Sequence, residues 1–239
     1  MTMTTQQEVY GKKFGGSAPE NYERFFVPAI GGPLAADLVA HAALRSGERV
    51  LDTACGTGIV ARLAAEQVGP KGSVAGVDIT PGMLAVARTV TKPFNVQWYE
   101  TSVEAMPLPD QSCDVVFCQL GLQFVADKAG GLGGRRRVVG PGGGIHVSAP
   151  APTRFFNVLE HALARHVPDA APFIRMVFSL NDSATLEGLL RAAGFGDVRV
   201  QWIHKLLRLP PAQEFVWQYL QCTPLAGAML ELDDTVRLA

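Results

Sequence analysis

Residues 49–66, RVLDTACGTGIVARLAAE, constrain the fold more than any other part of this 239-residue chain. An apolar run ending in an acid predicts a buried strand, and the apolar spacing after the glycines predicts a helix over residues 59–68. Between them, Gly56 and Gly58 allow a tight turn whose backbone can approach a ligand closely. Amide groups and the helix dipole favour an anionic or strongly polar ligand at such a turn. The stretch therefore predicts a nucleotide-cofactor site.

Two classes of cofactor site use this geometry, and the glycines alone do not separate them. Gly56, Gly58 and Ala61 satisfy the Gly-x-Gly-x-x-Gly/Ala spacing of dinucleotide folds, and Asp78 lies twenty residues beyond Gly58 in the ribose-binding position. In a dinucleotide fold, however, the apolar strand usually runs up to the first glycine. Here the four residues Asp-Thr-Ala-Cys, beginning at Asp52, stand between the apolar strand and Gly56. This spacing argues against a dinucleotide site.

The sequence DTACGTG resembles motif I of the class I S-adenosylmethionine (SAM) methyltransferases, in which an acidic residue and three further residues precede Gly-x-Gly. Within that superfamily, residues 45–150 most resemble the ubiquinone/menaquinone-biosynthesis-like group, also called methyltransferase type 11. The resemblance implies SAM as cofactor and places its amino-acid moiety around Asp52, Ala54, Gly56 and Gly58.

A second acid at a strand end is expected to hold the ribose. Residues 73–78, SVAGVD, predict a strand, and residues 80–83 open the next helix. A carboxylate at that position can accept hydrogen bonds from both vicinal ribose hydroxyls. We predict this role for Asp78, and the resemblance implies that Ile79 and Met83 pack on the adenine.

A third segment, WYETSVEAMPLPDQSCDVVFCQLGLQFVAD, resembles the family pattern that leads into the fourth strand. By position, Ser102, Val103 and Glu104 stand where the adenine amino group is read. The family's acid is replaced by Ser102, a hydroxyl that both donates and accepts, so recognition shifts toward the Val103 backbone. The end of the strand over residues 114–118 brings Gln119 near the sulfonium.

The alternation of strands and helices over residues 49–204 predicts an α/β fold, a Rossmann-like class I methyltransferase sheet with helices on both faces and a small helical cap. We expect one domain over residues 1–239. Its parts are N-terminal lid helices at 1–45, a SAM-binding core at 46–150, and a helical cap or substrate region at 151–180 and 211–239.

The lid is expected to consist of two helices broken at the glycines and proline of residues 31–33. In relatives this segment folds over the cofactor, so Tyr22 and Phe26 are either lid contacts or core residues. The aromatic and aliphatic residues of the cap predict an apolar substrate pocket; they are Phe155, Phe156, Leu159, Phe173, Met176 and Phe178.

Two later segments depart from the family pattern. Residues 129–144, AGGLGGRRRVVGPGGG, fall where relatives carry a helix. Four of their glycines, Gly130, Gly131, Gly133 and Gly134, would each cost about 1 kcal/mol there relative to alanine, so we predict a frayed or disordered helix. The arginines at 135–137 are expected to form a solvated helix end. Residues 198–207 predict a sixth strand without a seventh, and an open sheet edge would favour self-association as a homodimer.

Composition excludes several other classes. The net charge of -1 offers no basic footprint for nucleic acid. No run reaches the roughly 20 apolar residues of a membrane span, and the start resembles no secretory signal, so we expect a cytoplasmic protein. The four cysteines show no metal or disulfide spacing and are expected to pack in the core. The spacing of His161 and His166 argues against a metal site.

The resemblance implies that a methyl group passes from SAM to a small, apolar acceptor by direct displacement, with S-adenosylhomocysteine as product. The sequence names no certain catalytic residue: His146 or His161 could act as a base, and Gln119 and Gln123 either orient the acceptor or are ordinary loop residues. A nicotinamide-dependent oxidoreductase and a non-catalytic SAM-binding regulator are the alternatives. The apolar cap favours a lipophilic acceptor such as a quinone, phenol or polyketide-like compound.

Overall fold

The fold is built on a parallel sheet, as the alternating pattern predicts. A computed structural model describes residues 17–92, 94–168 and 170–226. Its five strands have the order β3-β2-β1-β4-β5. Their bounds are Arg49–Thr53 (β1), Ser73–Asp78 (β2), Val96–Glu100 (β3), Cys113–Gln119 (β4) and Val139–Ser148 (β5).

Helices connect the strands and form the cap. The sheet helices are Ala18–Ala42 (α1), Ile59–Val68 (α2), Pro81–Val90 (α3), Lys128–Val138 (α4) and Ser183–Ala192 (α7). The cap helices are Arg154–His166 (α5), Ala171–Val177 (α6) and Ala212–Gln221 (α8). The expected strand and helix bounds of residues 49–90 are confirmed, and the Rossmann-like fold with a helical cap is confirmed with them.

The strand order places a crevice between β1 and β4. The chain moves outward from β1 to β2 and β3, then returns to the other side of β1 to form β4 and β5. Loops after β1 and β4 therefore leave the sheet in opposite directions, and ligands of open α/β sheets bind at this point. All pairings are parallel, so the carboxyl ends of all five strands meet at one edge.

Apolar layers cover both faces of the sheet. On one face Val116, Leu132 and Leu186 belong to a layer formed by the sheet, α4 and α7. On the other, Val39 and Val60 of α1 and α2 pack against the sheet. Cys55, Cys113, Cys118 and Cys222 are buried and unpaired, which confirms the expected packing role.

The lid segment is one helix, and the expected break at residues 31–33 is wrong. The section Tyr22–Gly31 of α1 has π-helical spacing, and the Gly32 amide donates to the Val27 carbonyl five residues earlier. The wider π turns accommodate Pro28 inside the helix. Pro33 stands in the first turn of the final section, Gly32–Ala42, where its missing amide is not needed. Residues 1–16 of the predicted lid lie outside the described residues.

The glycine-rich helix is formed, so the expected fraying of this segment is wrong. Helix α4 begins at Asp127, whose side chain accepts a hydrogen bond from the Gly130 amide at 2.9 Å. A Cβ at Gly134 would stand 2.5 Å from the Val103 carbonyl oxygen. The small residues allow α4 to approach the loop after β3 closely, and the packing gained there offsets their poor helix propensity.

The expected solvated arginine end of α4 is also wrong for Arg135. Its side chain is fully buried and its Nε donates to Thr53 Oγ1 at 2.8 Å. Arg136 is exposed as expected, and Arg137 pairs with Asp110 at 2.7 Å. A helix packed this closely on the sheet turns one face inward, so one of three consecutive arginines is buried.

The sixth strand is absent from residues 198–207, which have no regular secondary structure. The segment pairs with neither the outer edge of β5 nor any other described strand, so its β-propensity is not realised. Its side chains contact α1 instead: Lys205 pairs with Asp37 at 2.7 Å, and the Gln201 amide lies 3.2 Å from His41 Nε2. The final residues of the predicted cap, 227–239, lie outside the described residues.

Within the part of the chain that the structure describes, α1 is the one helix long and apolar enough to cross a membrane by length and composition. That is weak evidence for a span. Val27, Ala35 and Val39 of this helix are buried against the rest of the domain. The same apolar stripe is what a helix in a protein core requires.

Candidate cofactor and acceptor site

A cavity of about 1700 Å³ opens at the carboxyl ends of the strands. Typical small-molecule sites occupy about 300–1,000 Å³, so this one has room for a cofactor and a second ligand. Its walls come from α1, the loops after all five strands, the cap helices and the irregular segment 196–209. The position agrees with the crevice defined by the strand order.

Eleven of the thirteen predicted cofactor residues line this cavity. Asp52 and Gly58 do not line it. The eleven are Tyr22, Phe26, Ala54, Gly56, Asp78, Ile79, Met83, Ser102, Val103, Glu104 and Gln119.

Asp78 is held in place by the backbone of two loops. Its Oδ2 accepts from the Gly56 amide at 2.8 Å, and its Oδ1 accepts from the Thr80 amide at 2.9 Å. The Thr80 side chain and the Ile79 amide also donate hydrogen bonds to this carboxylate. Burial raises the pKa of this carboxyl, while the Gly56 and Thr80 amides oppose the shift. The result is a fixed acceptor at the tip of β2.

Where the loops after β1 and β4 come close together, the backbone adopts unusual φ angles. Ala54 and Leu120 have φ angles of 53° and 50°, in the left-handed region that residues other than glycine rarely adopt. A Cβ at Gly121 would lie 2.6 Å from the Ala54 Cβ. Such strain concentrates at ligand sites because the surrounding fold must impose it. Both strained residues line the cavity.

The glycine turn is covered by an aromatic ring from the lid. Gly56 has a φ of 54°, and a Cβ there would point toward the Tyr22 ring at 3.9 Å. Tyr22 stacks on Phe26 with ring centroids 4.6 Å apart. Burial raises the pKa of the Tyr22 phenol, so this group stays neutral. The lid and the turn therefore enclose a narrow space between them.

Asp52 and Gly58 shape the floor beneath that turn. Asp52 Oδ2 accepts from the Ala61 amide in the first turn of α2 at 3.1 Å. Burial, with a smaller contribution from Asp78, raises the Asp52 pKa to about 8. Gly58 has a φ of 83°, and a Cβ there would stand 2.5 Å from the Trp98 ring. Gly58 thus admits the indole, whereas the sequence predicts that it faces the ligand.

The segments after β2 and β3 form a shallow groove, here called the cradle. Ile79 and Met83 form its apolar wall, and Ser102 belongs to its polar wall. Ile79 follows Asp78 with half of its surface exposed, while Met83 is buried behind it. Opposite them, Ser102 Oγ accepts from the Glu104 amide at 3.4 Å. An exposed aliphatic side chain beside a fixed carboxylate suits a flat heterocycle attached to a sugar.

The acceptor end of the cavity has an aromatic wall in the cap. Phe156 lies at its centre, with ring centroids 5.0 Å from Phe178 and 5.2 Å from Phe155 and Tyr219. Tyr219 belongs to α8 and was not among the predicted site residues. The apolar periodicity of residues 212–221 marks a packed helix, but no sequence signal assigns it to this cavity.

The predicted glutamines and histidines differ in where they lie relative to the cavity. Gln119 lines the cavity, and its Nε2 donates to the Gly31 carbonyl of the lid at 2.9 Å. Gln123 is buried and donates to the Leu120 carbonyl at 2.8 Å. His146 on β5 lines the cavity, whereas His161 is exposed on α5 and contacts the Asn157 carbonyl. His161 therefore lies outside the site.

These residues fit the cofactor that the sequence resemblance implies. The glycine turn would surround the amino-acid portion, Asp78 would hold the ribose, and the cradle of Ile79, Met83 and Ser102 would take the adenine. The fold and this site together define a class I SAM-dependent methyltransferase.

Comparison with known proteins agrees with that class. A family model described as a methyltransferase domain matches residues 50–143. The ubiquinone/menaquinone biosynthesis C-methyltransferase UbiE of Teredinibacter turnerae is 34% identical over 174 residues, which cover 65% of this chain and 70% of that protein. Other relatives of the same name are matched over about half of their length. The chain belongs to the class I SAM-dependent methyltransferases, in the UbiE-like group, and SAM is its cofactor.

Solved structures share the fold at lower identity. The YcgJ protein of Bacillus subtilis is 21% identical, with a TM-score of 0.58 over 85% of this chain and 86% of that one. The [4+2]-cyclase SpnF is 19% identical, with a TM-score of 0.58 over 86% of this chain and 71% of that one. Because a cyclase has this fold, the acceptor must be argued from the site.

Proposed function

We propose that this enzyme transfers a methyl group to a carbon of a small, apolar ring compound, of which a quinol or a phenol is the model. The single observation that carries the proposal is the aromatic wall around Phe156, which faces the cofactor loops across a cavity too large for one ligand. The relatives that this chain matches are named C-methyltransferases of ubiquinone and menaquinone biosynthesis, which supports carbon as the methylated atom.

The residues of the chain have mainly to bind and to orient. When bound, SAM supplies a methyl group already activated by its sulfonium. Alignment of two reactants in a closed site can lower a barrier by about 7–11 kcal/mol in favourable cases. Asp78, Ile79 and Ser102 are proposed to fix one ligand, and Phe156 and its neighbours the other. Tyr22, stacked on Phe26, is proposed to exclude water from the glycine turn.

The test is production of S-adenosylhomocysteine from SAM in the presence of hydroxylated ring compounds. A panel of phenols, naphthols and reduced quinones should include compounds that yield this product together with a methylated acceptor. Carbon-13 NMR with labelled SAM then places the methyl on carbon or on oxygen. An enzyme that methylates only oxygen or nitrogen would contradict the carbon acceptor.

Two alternatives are separated by binding experiments. Calorimetric titration with NADPH should show no binding, in contrast to SAM, which would exclude the oxidoreductase. A protein that binds SAM but forms no S-adenosylhomocysteine with any acceptor would be the regulator.

The remaining expectations from the sequence stay predictions. They are the homodimer, the lack of a nucleic-acid partner, the cytoplasmic location and the division of the chain into lid, core and cap. No strand of the described residues pairs with the outer edge of β5. Such an edge presents unpaired backbone groups, which supports the dimer. Sedimentation of the purified protein at several concentrations tests it.

A further inference from the structure

Beside the cofactor loops, one strip of the cavity wall carries polar side chains that the cofactor does not need. It lies on β4 and β5, on the sheet face covered by α1. Ser148 stands opposite Gln119 at the carboxyl ends of these strands, and His146 stands opposite Phe117 two residues earlier. Alternate residues of a strand point to the same face, so Ser148 and His146 share it, about 7 Å apart along the strand.

The Ser148 hydroxyl lacks a partner among the described residues. Its Oγ is buried and makes no hydrogen bond there, although Ser148 lines the cavity. A buried hydroxyl without a partner costs about 1–3 kcal/mol, so such atoms usually meet a ligand or water. Gln119, its neighbour on β4, lies on the side of the cofactor loops. Ser148 is therefore one strand, about 4.8 Å, farther from them.

The imidazole of His146 is placed to accept a proton. Its ring packs 5.6 Å from Phe117 and 6.5 Å, edge to face, from His41 of α1. Burial, followed by the neighbouring His41, lowers the His146 pKa, so the ring is neutral near pH 7. The nearest carboxylate on the same helix as His41 is Asp37, four residues earlier, and it pairs with Lys205 at 2.7 Å. The carboxylate is thus already engaged by a cation.

We infer that His146 and Ser148 form the subsite that binds a hydroxyl group on the ring of the methyl acceptor, with His146 as its proton acceptor. This inference rests on the proposed function. The aromatic wall would hold the body of the acceptor while its oxygen meets β5. The ligand class is a ring compound bearing a hydroxyl, rather than an amine or a carboxylic acid.

The chemistry balances with the groups named. The acceptor hydroxyl gives its proton to His146, and the resulting oxyanion raises the electron density of the ring. The ring carbon bonds to the methyl carbon while the electrons of the breaking carbon–sulfur bond remain on sulfur. The proton of the methylated carbon then passes to water, and His146 returns its proton to the oxygen. One proton is released for each S-adenosylhomocysteine formed.

The test compares His146→Gln with His161→Gln, a matched change on an exposed histidine outside the cavity. General base catalysis contributes about 10²–10⁴-fold, so we expect kcat of His146→Gln to fall about 100-fold or more at pH 7. SAM affinity by calorimetry should be unchanged in both variants. Raising the pH should restore the activity of His146→Gln, because the acceptor then ionises without help; a purely structural role of His146 would show no such recovery.

Ser148→Ala provides a second measurement, which does not depend on whether the His146→Gln variant folds. We expect its acceptor KM to rise about 10-fold with a smaller change in kcat, since one hydrogen bond contributes about 1 kcal/mol and up to 3 kcal/mol when a buried partner is lost. Direct titration of the SAM-loaded wild type with 2-naphthol should show binding at least 10-fold tighter than with 2-methoxynaphthalene.

The outcomes separate the two proposals. If the wild type forms no S-adenosylhomocysteine with any hydroxylated ring, the proposed function fails. If it does, but His146→Gln and His161→Gln are equally active, or 2-methoxynaphthalene binds as tightly as 2-naphthol, the subsite on β5 is refuted while the proposed function stands.

Discussion

The two halves of the cavity are built in different ways. The cofactor half consists of short loops that directly follow β1, β2 and β3, and its polar contacts join neighbouring loops, as between Asp78 and Gly56. The acceptor half joins α1, β5, the cap and the segment 196–209, which are far apart in sequence. His41 and Gln201, for example, are separated by 160 positions. Ligand chemistry is thus encoded locally in one half and by tertiary packing in the other.

The largest expected effect is the loss of SAM affinity in Asp78→Asn, a change confined to the cofactor half. The variant loses the anionic acceptor for the ribose and places an amide donor against the Gly56 amide. Each hydrogen bond to a charged group contributes about 1.5–3 kcal/mol, so SAM affinity should fall about 100-fold or more. Calorimetric titration with SAM measures it. Asp110→Asn, an exposed acid paired with Arg137 and outside the cavity, is the control and should leave SAM binding unchanged.

Acceptor binding should respond to Phe156→Ala without a change in SAM affinity. Phe156 is partly buried in the cap, and removing a phenylalanine ring that covers the acceptor loses about 1.5–3 kcal/mol of apolar contact, which corresponds to about a 30-fold rise in acceptor KM. Steady-state kinetics at saturating SAM measure the change. Val158→Ala, on the exposed side of the same helix, is the control. A parallel loss of SAM affinity in Phe156→Ala would show that the halves are not independent.

The same division explains what the sequence could predict. The strand, the glycine turn and the acid that ends β2 lie within 30 residues, so the local pattern was enough to predict that Asp78 and Gly56 lie together at the cavity. Their roles toward SAM stay predictions. Propensity alone did not reveal that α4 packs against Val103 or that Arg135 turns inward, because both depend on the approach of distant elements. For the same reason Tyr219 and His41 could not be assigned to the cavity. The segment 198–207 has the composition of a strand, but its side chains contact α1 and it pairs with no described strand.

A smaller effect is expected from the buried acid beneath the cofactor half. Because the Asp52 pKa is raised to about 8 from 3.8, the folded protein keeps a proton that the unfolded chain releases between these values. Stability of the ligand-free protein should therefore fall as pH rises from about 4 to 8 and level off above. Asp52→Asn removes this dependence.

Urea denaturation at pH 5 and pH 6 tests the role of Asp52. We expect the stability difference between the two pH values to shrink by about 1–2 kcal/mol in Asp52→Asn, with the remainder due to Asp78, whose pKa is also raised. Asp110→Asn, an exposed acid, should retain the wild-type difference. An unchanged pH dependence in Asp52→Asn would mean that water reaches this carboxyl and keeps it ionised.

The smallest effects are expected from two adjacent glycines of α4, and they should have opposite signs. Gly133 is exposed and a Cβ there meets nothing within 4 Å, so Gly133→Ala should stabilise the protein by about 0.5–1 kcal/mol through helix propensity. At Gly134 the same Cβ would press on the Val103 carbonyl, so Gly134→Ala should destabilise it and weaken SAM binding through the adenine loop. Thermal unfolding with and without SAM measures both variants. Equal stabilisation by the two alanines would show that α4 does not pack against Val103, and that the cofactor half does not depend on this helix.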